Sequence, residues 1–337
     1  MPVVAPTKPV VSARIASRRD WLPVLLWAAA VILLAAAACV RPGAVLPAAR
    51  VTVGPFAMLA AIIAGSVLAG RIGLFRALAT LLIPDRAPRP VVAGSVLVFT
   101  ALLAGLANLD VAVVVAMPVA IQAAATHGMP AGRLAAAVAV TANSGSFLLP
   151  TSNITSLLLL ERVPLAPLAY LQDSWLAWLL VVTVTIGSLS CWVGRAGTGS
   201  AMAGPARPSG RPVLDLIPMY VGASSIRAIL AAGLTLSGGL AAQLTAGSVL
   251  ASVANNLPAA AALRPAGTAG LWAAILATAI GPGLLITGSV AAVICRRIAR
   301  SSGAALRGWQ FTAIGSVLLP AQLTAAVIGL HLTGALS

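Results

Sequence analysis

The chain has 337 residues, of which 60% are hydrophobic and 8% charged, and its mean hydropathy is +1.03. A soluble domain carries about a quarter charged residues, so this composition cannot cover a globule with polar surface and excludes a water-soluble enzyme or binding module. The net charge of +15 does not point to nucleic acid, because the 21 Lys and Arg lie mostly between apolar stretches rather than on one face, the pattern of membrane orientation by positive charge.

The apolar stretches are long, continuous and rich in Ala, Leu and Val. They lack the ten-residue alternation of barrel strands, and a helix satisfies its own backbone hydrogen bonds in lipid. The expected class is therefore an all-α polytopic membrane protein. Residues 1–20 read as a basic cytoplasmic tail. The stretch 22–40 follows Arg14, Arg18 and Arg19 as a signal peptide would, but it is long and more spans follow, so it reads as a retained first helix. A second helix is expected at 54–75. The stretches 91–107 and 110–126 are short and meet at Asn108-Leu109-Asp110, so they form either two spans or a re-entrant hairpin. A long segment at 133–160 is interrupted at mid-length, and 174–194 follows it. The stretch 196–213 is rich in Gly, Pro, Ser and Arg and reads as a cytoplasmic linker. After it come 214–236, a second pair at 239–254 and 257–263 meeting at Asn255-Asn256-Leu257-Pro258, a second interrupted segment at 268–295, and a last helix at 309–333. With the amino terminus in the cytoplasm, 16 of the basic residues fall inside, four outside (Arg162 and Arg264 among them), and Arg227 lies within a span. Arg227 either snorkels or pairs with a carboxylate.

The two interrupted segments align without a gap. TANSGSFLLPTSNIT (141–155) lies over ATAIGPGLLITGSVA (277–291), pairing Gly145 with Gly281, Ser146 with Pro282 and Asn153 with Ser289. The hairpin tips correspond as well. Each half crosses the membrane an odd number of times, so the second copy is expected upside down. This gives two inverted repeats, each with a hairpin and a discontinuous transmembrane helix, as in secondary transporters. The first copy is 21–173 (hairpin about 91–126, broken helix 133–160). The second has its leading helix at 174–195 and the rest at 214–337 (hairpin about 239–264, broken helix 268–295).

A break inside lipid must line a protein-enclosed cavity, because its backbone groups need partners, and the half-helix ends then face a polar solute. The candidate substrate- or ion-binding residues follow from that: Asn143, Ser144, Gly145, Ser146, Thr151, Ser152 and Asn153 at the first break, and Gly281, Pro282, Thr287, Gly288 and Ser289 at the second. The hairpin tips add Asn108, Asp110, Asn255 and Asn256, and Pro150, Pro258 and Gly283 are the expected hinges. Asp110 is an acidic residue near membrane depth, where a carboxylate is costly. It either caps its helix or serves as a protonatable coupling group. Trp175, Trp178, Trp192 and Trp309 read as interfacial anchors. Cys39, Cys191 and Cys295 read as small buried apolar residues. With two His and no cysteine cluster, no metal site or cofactor is expected.

At these residues the chain resembles the ion transporter superfamily, and most closely the arsenical pump membrane protein (ArsB-type) family. The strings that carry it are LANLDVAVVVAMPV (106–119), TANSGSFLLPTSNITSLLL (141–159), SVANNLPAAAAL (252–263), AIGPGLLITGSVAAVI (279–294) and WQFTAIGSVLLP (309–320). Leu109, Ser152, Gly283 and Ile286 depart from the family pattern. The resemblance implies re-entrant hairpins, alternating access with an elevator-like movement, a homodimer, and export of arsenite or antimonite in exchange for protons across the cell membrane. Within the same architecture the alternatives are a sodium- or proton-coupled anion or dicarboxylate transporter and a sodium/proton antiporter. An enzyme is not expected, since catalysis at depth would need a nucleophile–base pair or metal ligands.

Overall fold

The computed structural model describes residues 22–82, 86–195, 211–230, 233–304 and 306–336. These residues form helices throughout, joined by turns and one isolated parallel bridge between Leu234 and Leu263. The tail at 1–20 lies outside the described residues, as does most of the expected linker, and Arg211–Val213 belong to a helix.

Three helices open the chain: α1 (Leu22–Val40), α2 (Pro42–Arg71) and α3 (Leu74–Leu82). The third was not foreseen. It is short and amphipathic, so a search for apolar runs passes over it. Next come α4 (Arg89–Leu106) and α5 (Leu109–Thr126), antiparallel neighbours joined at Ala107-Asn108. Proline opens α4 in its first turn, where its missing N–H has no helical partner in any case. The segment expected at 133–160 is interrupted. Helix α6 (Ala131–Ser144) ends at Gly145, a 3-10 turn runs Pro150–Ser152, and α7 (Ile154–Leu160) starts beyond Asn153. Helix α8 (Pro167–Gly194) begins seven residues before the expected 174, at an Ala-Pro start.

The later part continues as follows. After α9 (Arg211–Ile229) come α10 (Leu240–Ala254) and α11 (Asn256–Ala262). Helix α12 (Gly267–Ile280) breaks into a 3-10 turn at Gly281–Leu284, α13 (Val290–Ser301) resumes after Ser289, and α14 (Gly308–Leu332) closes the chain.

Among the described residues, five stretches are long and apolar enough to cross a membrane: α4, α5, α8, α14 and the run Gly267–Leu284. The chain is therefore an all-α membrane protein. Val24, Leu25, Val31 and Ile32 on α1, and Val317 and Ile328 on α14, are exposed, as lipid-facing side chains are.

Packing divides the helices into two groups. Helix α9 lies against α1 and α2, with Ala37, Ala48 and Ala228 at their meeting point. The remaining helices form a larger body with two buried cores. One joins α4, α5, α6 and α13, and the other joins α7, α8, α12 and α14. Alanine dominates both cores, as expected where helices in lipid associate by close van der Waals approach. Of the three cysteines only Cys295 is buried. Cys39 and Cys191 are exposed, which corrects the expectation for those two.

Candidate functional site

Four helix amino-terminal ends meet at one cavity of about 40 Å³. Its walls are Leu109 and Asp110 from α5, Asn153, Ile154 and Thr155 from α7, Asn256 and Leu257 from α11, and Ser289, Val290 and Ala291 from α13. Each contribution is the residue that caps a helix, or the one or two that follow the cap. Sequence dictates this locally. Asn and Ser favour the extended cap position because a short side chain can accept a hydrogen bond from the next turn.

Three of the four ends are capped by asparagine. Asn108 Oδ1 accepts from Asp110 N–H at 2.9 Å, Asn153 Oδ1 from Thr155 N–H at 3.1 Å, and Asn255 Oδ1 from Leu257 N–H at 3.3 Å. The fourth end is different. Ser289 makes no side-chain cap for α13, and its hydroxyl is buried without a hydrogen-bond partner. The amino terminus of α13 is therefore open toward the cavity.

Hydrogen bonds tie the tips to the breaks in two matched sets. Asn108 Nδ2 donates to Thr151 O at 3.3 Å, and Asn255 Nδ2 donates to Thr287 O at 3.2 Å. The backbone N–H of Asn256 donates to Gly288 O at 2.9 Å. Asn255 has φ +75°, a left-handed conformation that Asn tolerates better than most residues. The glycines at the breaks face the first helix of each hairpin. A Cβ on Gly281 would lie 2.6 Å from Ser248 Cα on α10, and one on Gly145 would lie 3.3 Å from Ala101 Cα on α4.

Of the residues singled out in the sequence, Asp110, Asn153, Asn256 and Ser289 line the cavity. Others stand one layer behind it. Ser146 donates to Asn143 O at 2.8 Å and accepts from Asn153 Nδ2 at 3.1 Å. Ser152 donates to Gly105 O at 2.6 Å. Ser252 on α10 donates to Gly281 O at 2.7 Å. Asn143 and Ser144 turn back onto their own helix, to Ala139 O and Val140 O, and Asn143 Oδ1 has no partner. Pro150, Pro282 and Gly283 build the 3-10 turns, and Pro258 sits in α11 beside a second, smaller cavity. Leu109, Ile154, Thr155, Leu257, Val290 and Ala291 line the larger cavity too and were not among the candidates. Their signal was their position one or two residues beyond a cap.

Trp178 corrects another expectation. Its Nε1–H donates to Gly145 O at 2.7 Å, so it braces the first break rather than anchoring at an interface. Trp192 packs under Arg133, whose guanidinium carbon is 5.2 Å from the ring centre. Trp175 and Trp309 are exposed.

No protein-family model matches the chain, and no curated protein matches it. The functional reading therefore rests on the cavity. It offers an open helix end, a free hydroxyl, the Asn256 amide and one carboxylate within reach of a solute. Helix amino termini favour electronegative oxygen. Asp110 can accept hydrogen bonds when ionised and donate one when protonated.

Proposed function

We propose that this protein is a secondary active transporter that exports arsenite or antimonite in exchange for protons, working by alternating access. The observation that carries the reading is the meeting of four helix amino termini at a small cavity with one carboxylate, Asp110, in its wall.

The order α4 to α8 recurs as α10 to α14, and the tip and break contacts recur in register. That recurrence supports two repeats. Three elements stand between the two hairpins: the broken helix α6–α7, then α8 and α9. Three crossings would turn the second copy upside down, with α4–α5 and α10–α11 as re-entrant hairpins. The unwound backbone then sits where protein rather than lipid surrounds it.

The size of the cavity supports a small cargo. About 40 Å³ is room for roughly three water-sized groups, which suits a trihydroxy solute and is tight for a dicarboxylate. Arsenous acid is neutral at pH 7 and carries three hydroxyls that both donate and accept. The open end of α13 and the Ser289 hydroxyl hold one oxygen, the Asn256 amide a second, and ionised Asp110 accepts from a third. A proton arriving at Asp110 removes its charge and turns one acceptor oxygen into a donor, which weakens its hold on that hydroxyl. Cargo and proton thus compete for one carboxylate, which is the physical requirement for exchange. The resemblance to the ArsB-type family supports the same cargo, and the bias of basic residues supports a cell-membrane location with a cytoplasmic amino terminus.

Arsenite uptake into everted vesicles tests the reading, with a proton gradient, a sodium gradient or neither. Uptake is expected with the proton gradient only, and Asp110→Asn is expected to abolish its dependence on that gradient. A wild-type protein that takes up no arsenite removes the cargo assignment, and a sodium requirement removes the proton.

A further inference from the structure

Beside the central cavity lies a second one of about 10 Å³, between the α2–α9 pair and helices α7 and α11. Leu257 lines both cavities, so the two share this residue as a common wall. The smaller chamber has the volume of one water, and Arg227 is the charged residue among its described lining residues. Thr52 and Pro258 complete the wall on either side.

Building on the transporter reading, we propose that this chamber is the closed access path to the central cavity on the face where α7, α9 and α11 end. Leu257 is its steric gate, and Arg227 is a charge filter that admits neutral and anionic solutes and turns back cations.

The surroundings favour that role. Arg162 donates from Nη1 to Leu263 O and from Nη2 to Ala261 O, tying off the carboxyl-terminal end of α11. Burial, and after it the guanidiniums of Arg264 and Arg227, pull Arg162 below the usual arginine value, while Glu161 acts the other way. Among the groups that act on Arg162, two further guanidiniums stand against one carboxylate, so the field at Arg162 is positive. A fixed guanidinium beside a narrow passage repels cations, protons among them, and leaves neutral solutes unaffected. The asymmetry between the copies fits as well. Asp110 and Leu257 are each the second residue after an asparagine cap, so one hairpin presents a carboxylate to the cavity and the other presents an apolar plug. Protons must reach Asp110 without passing Arg227, and the cargo can pass it. Separate routes of this kind limit futile proton leak.

The test places one cysteine at the gate. Leu257→Cys is made in a chain carrying Cys39→Ser, Cys191→Ser and Cys295→Ala, and the protein is reconstituted in liposomes. It is treated with two methanethiosulfonates of similar size, one bearing a sulfonate and one a trimethylammonium group. Each rate is normalised to that reagent's reaction with a free thiol. The anionic reagent is expected to react about tenfold faster, and Arg227→Gln is expected to bring the two rates together. Failure of both reagents to modify the cysteine from either side overturns the path, and a ratio unchanged by Arg227→Gln overturns the filter.

A second measurement uses the wild-type cysteines. Passive proton entry into liposomes is expected to rise several-fold in Leu257→Ala with Arg227→Gln, and by less in Leu257→Ala alone. Equal leak in the two rejects the filter. Neither measurement needs a cargo. Arsenite uptake that fails while the labelling pattern holds removes the cargo and leaves the gate and filter, whereas uptake that succeeds without charge selection removes the filter alone.

Discussion

Asn108 and Asn255 make the same two hydrogen bonds in different parts of the chain. Each accepts from the N–H two residues on, at 2.9 and 3.3 Å, and each donates to a threonine carbonyl in the neighbouring helix break, at 3.3 Å to Thr151 and 3.2 Å to Thr287. One side chain therefore starts a helix and fastens a hairpin tip to a break. Loss of a cap costs about 0.5–2 kcal/mol. Asn108→Ala and Asn255→Ala should each lower the thermal midpoint in detergent by about 2–4 °C. Thiol exposure at buried Cys295 is a suitable readout. Asn255→Val should fall further than Asn255→Ala, because its backbone sits at φ +75° and a β-branched residue resists that conformation. A smaller fall for Val than for Ala contradicts the left-handed tip.

The two break glycines should differ in tolerance. Gly281→Ala drives a methyl to within 2.6 Å of Ser248 Cα, whereas Gly145→Ala meets Thr141 O at 3.0 Å and Ala101 Cα at 3.3 Å. Overpacking of this kind costs about 1–3 kcal/mol. Gly281→Ala is expected at the upper end of that range and Gly145→Ala near or below the lower end, read as the yield of folded protein and its thermal midpoint. The reverse order contradicts the closer approach of α10 to the second break.

Helices α8 and α14 share a buried polar pair, with Gln322 Nε2 donating to Thr185 Oγ1 at 2.8 Å. Such bonds between helices in lipid contribute about 0.6 kcal/mol on average. Gln322→Leu and Thr185→Val should each destabilise. Together they should cost less than their sum, because the second change removes a group the first has already orphaned. Strict additivity in the double variant sinks the pair as a coupled unit.

Much of this architecture is legible in the sequence because lipid imposes strong rules. Helix α1 spans the expected residues, and α4, α5, α10, α11 and α14 start within two residues of expectation, since apolar length and Asn or Pro punctuation set their ends. The breaks are legible too, because Gly, Pro and Asn cluster inside otherwise apolar runs. What escaped is three-dimensional. No local pattern says that α9 packs on α1 and α2, that Trp178 reaches Gly145 O, or that Ser289 fails to cap while Asn153 at the matched position succeeds. A hydroxyl and an amide oxygen are both good caps by composition, and only the course of the backbone decides which is used.

That difference yields the sharpest prediction. The Ser289 hydroxyl is buried with no partner, a condition that costs about 1–3 kcal/mol unless a ligand relieves it. Ser289→Ala should therefore leave the unliganded protein as stable as wild type or slightly more so, and under the arsenite transport proposed above the half-saturating arsenite concentration should rise. Ser289→Asn goes further, because it installs at α13 the residue that caps α7. If its amide closes the helix end, the thermal midpoint should rise, since a cap contributes about 0.5–2 kcal/mol, and transport should fall toward zero because the open donors are now occupied. A gain in stability with a loss of function is the mark of a site held unsatisfied for its cargo. Loss of both in Ser289→Ala would assign the hydroxyl to folding, and unchanged transport in both variants would take Ser289 out of the binding site.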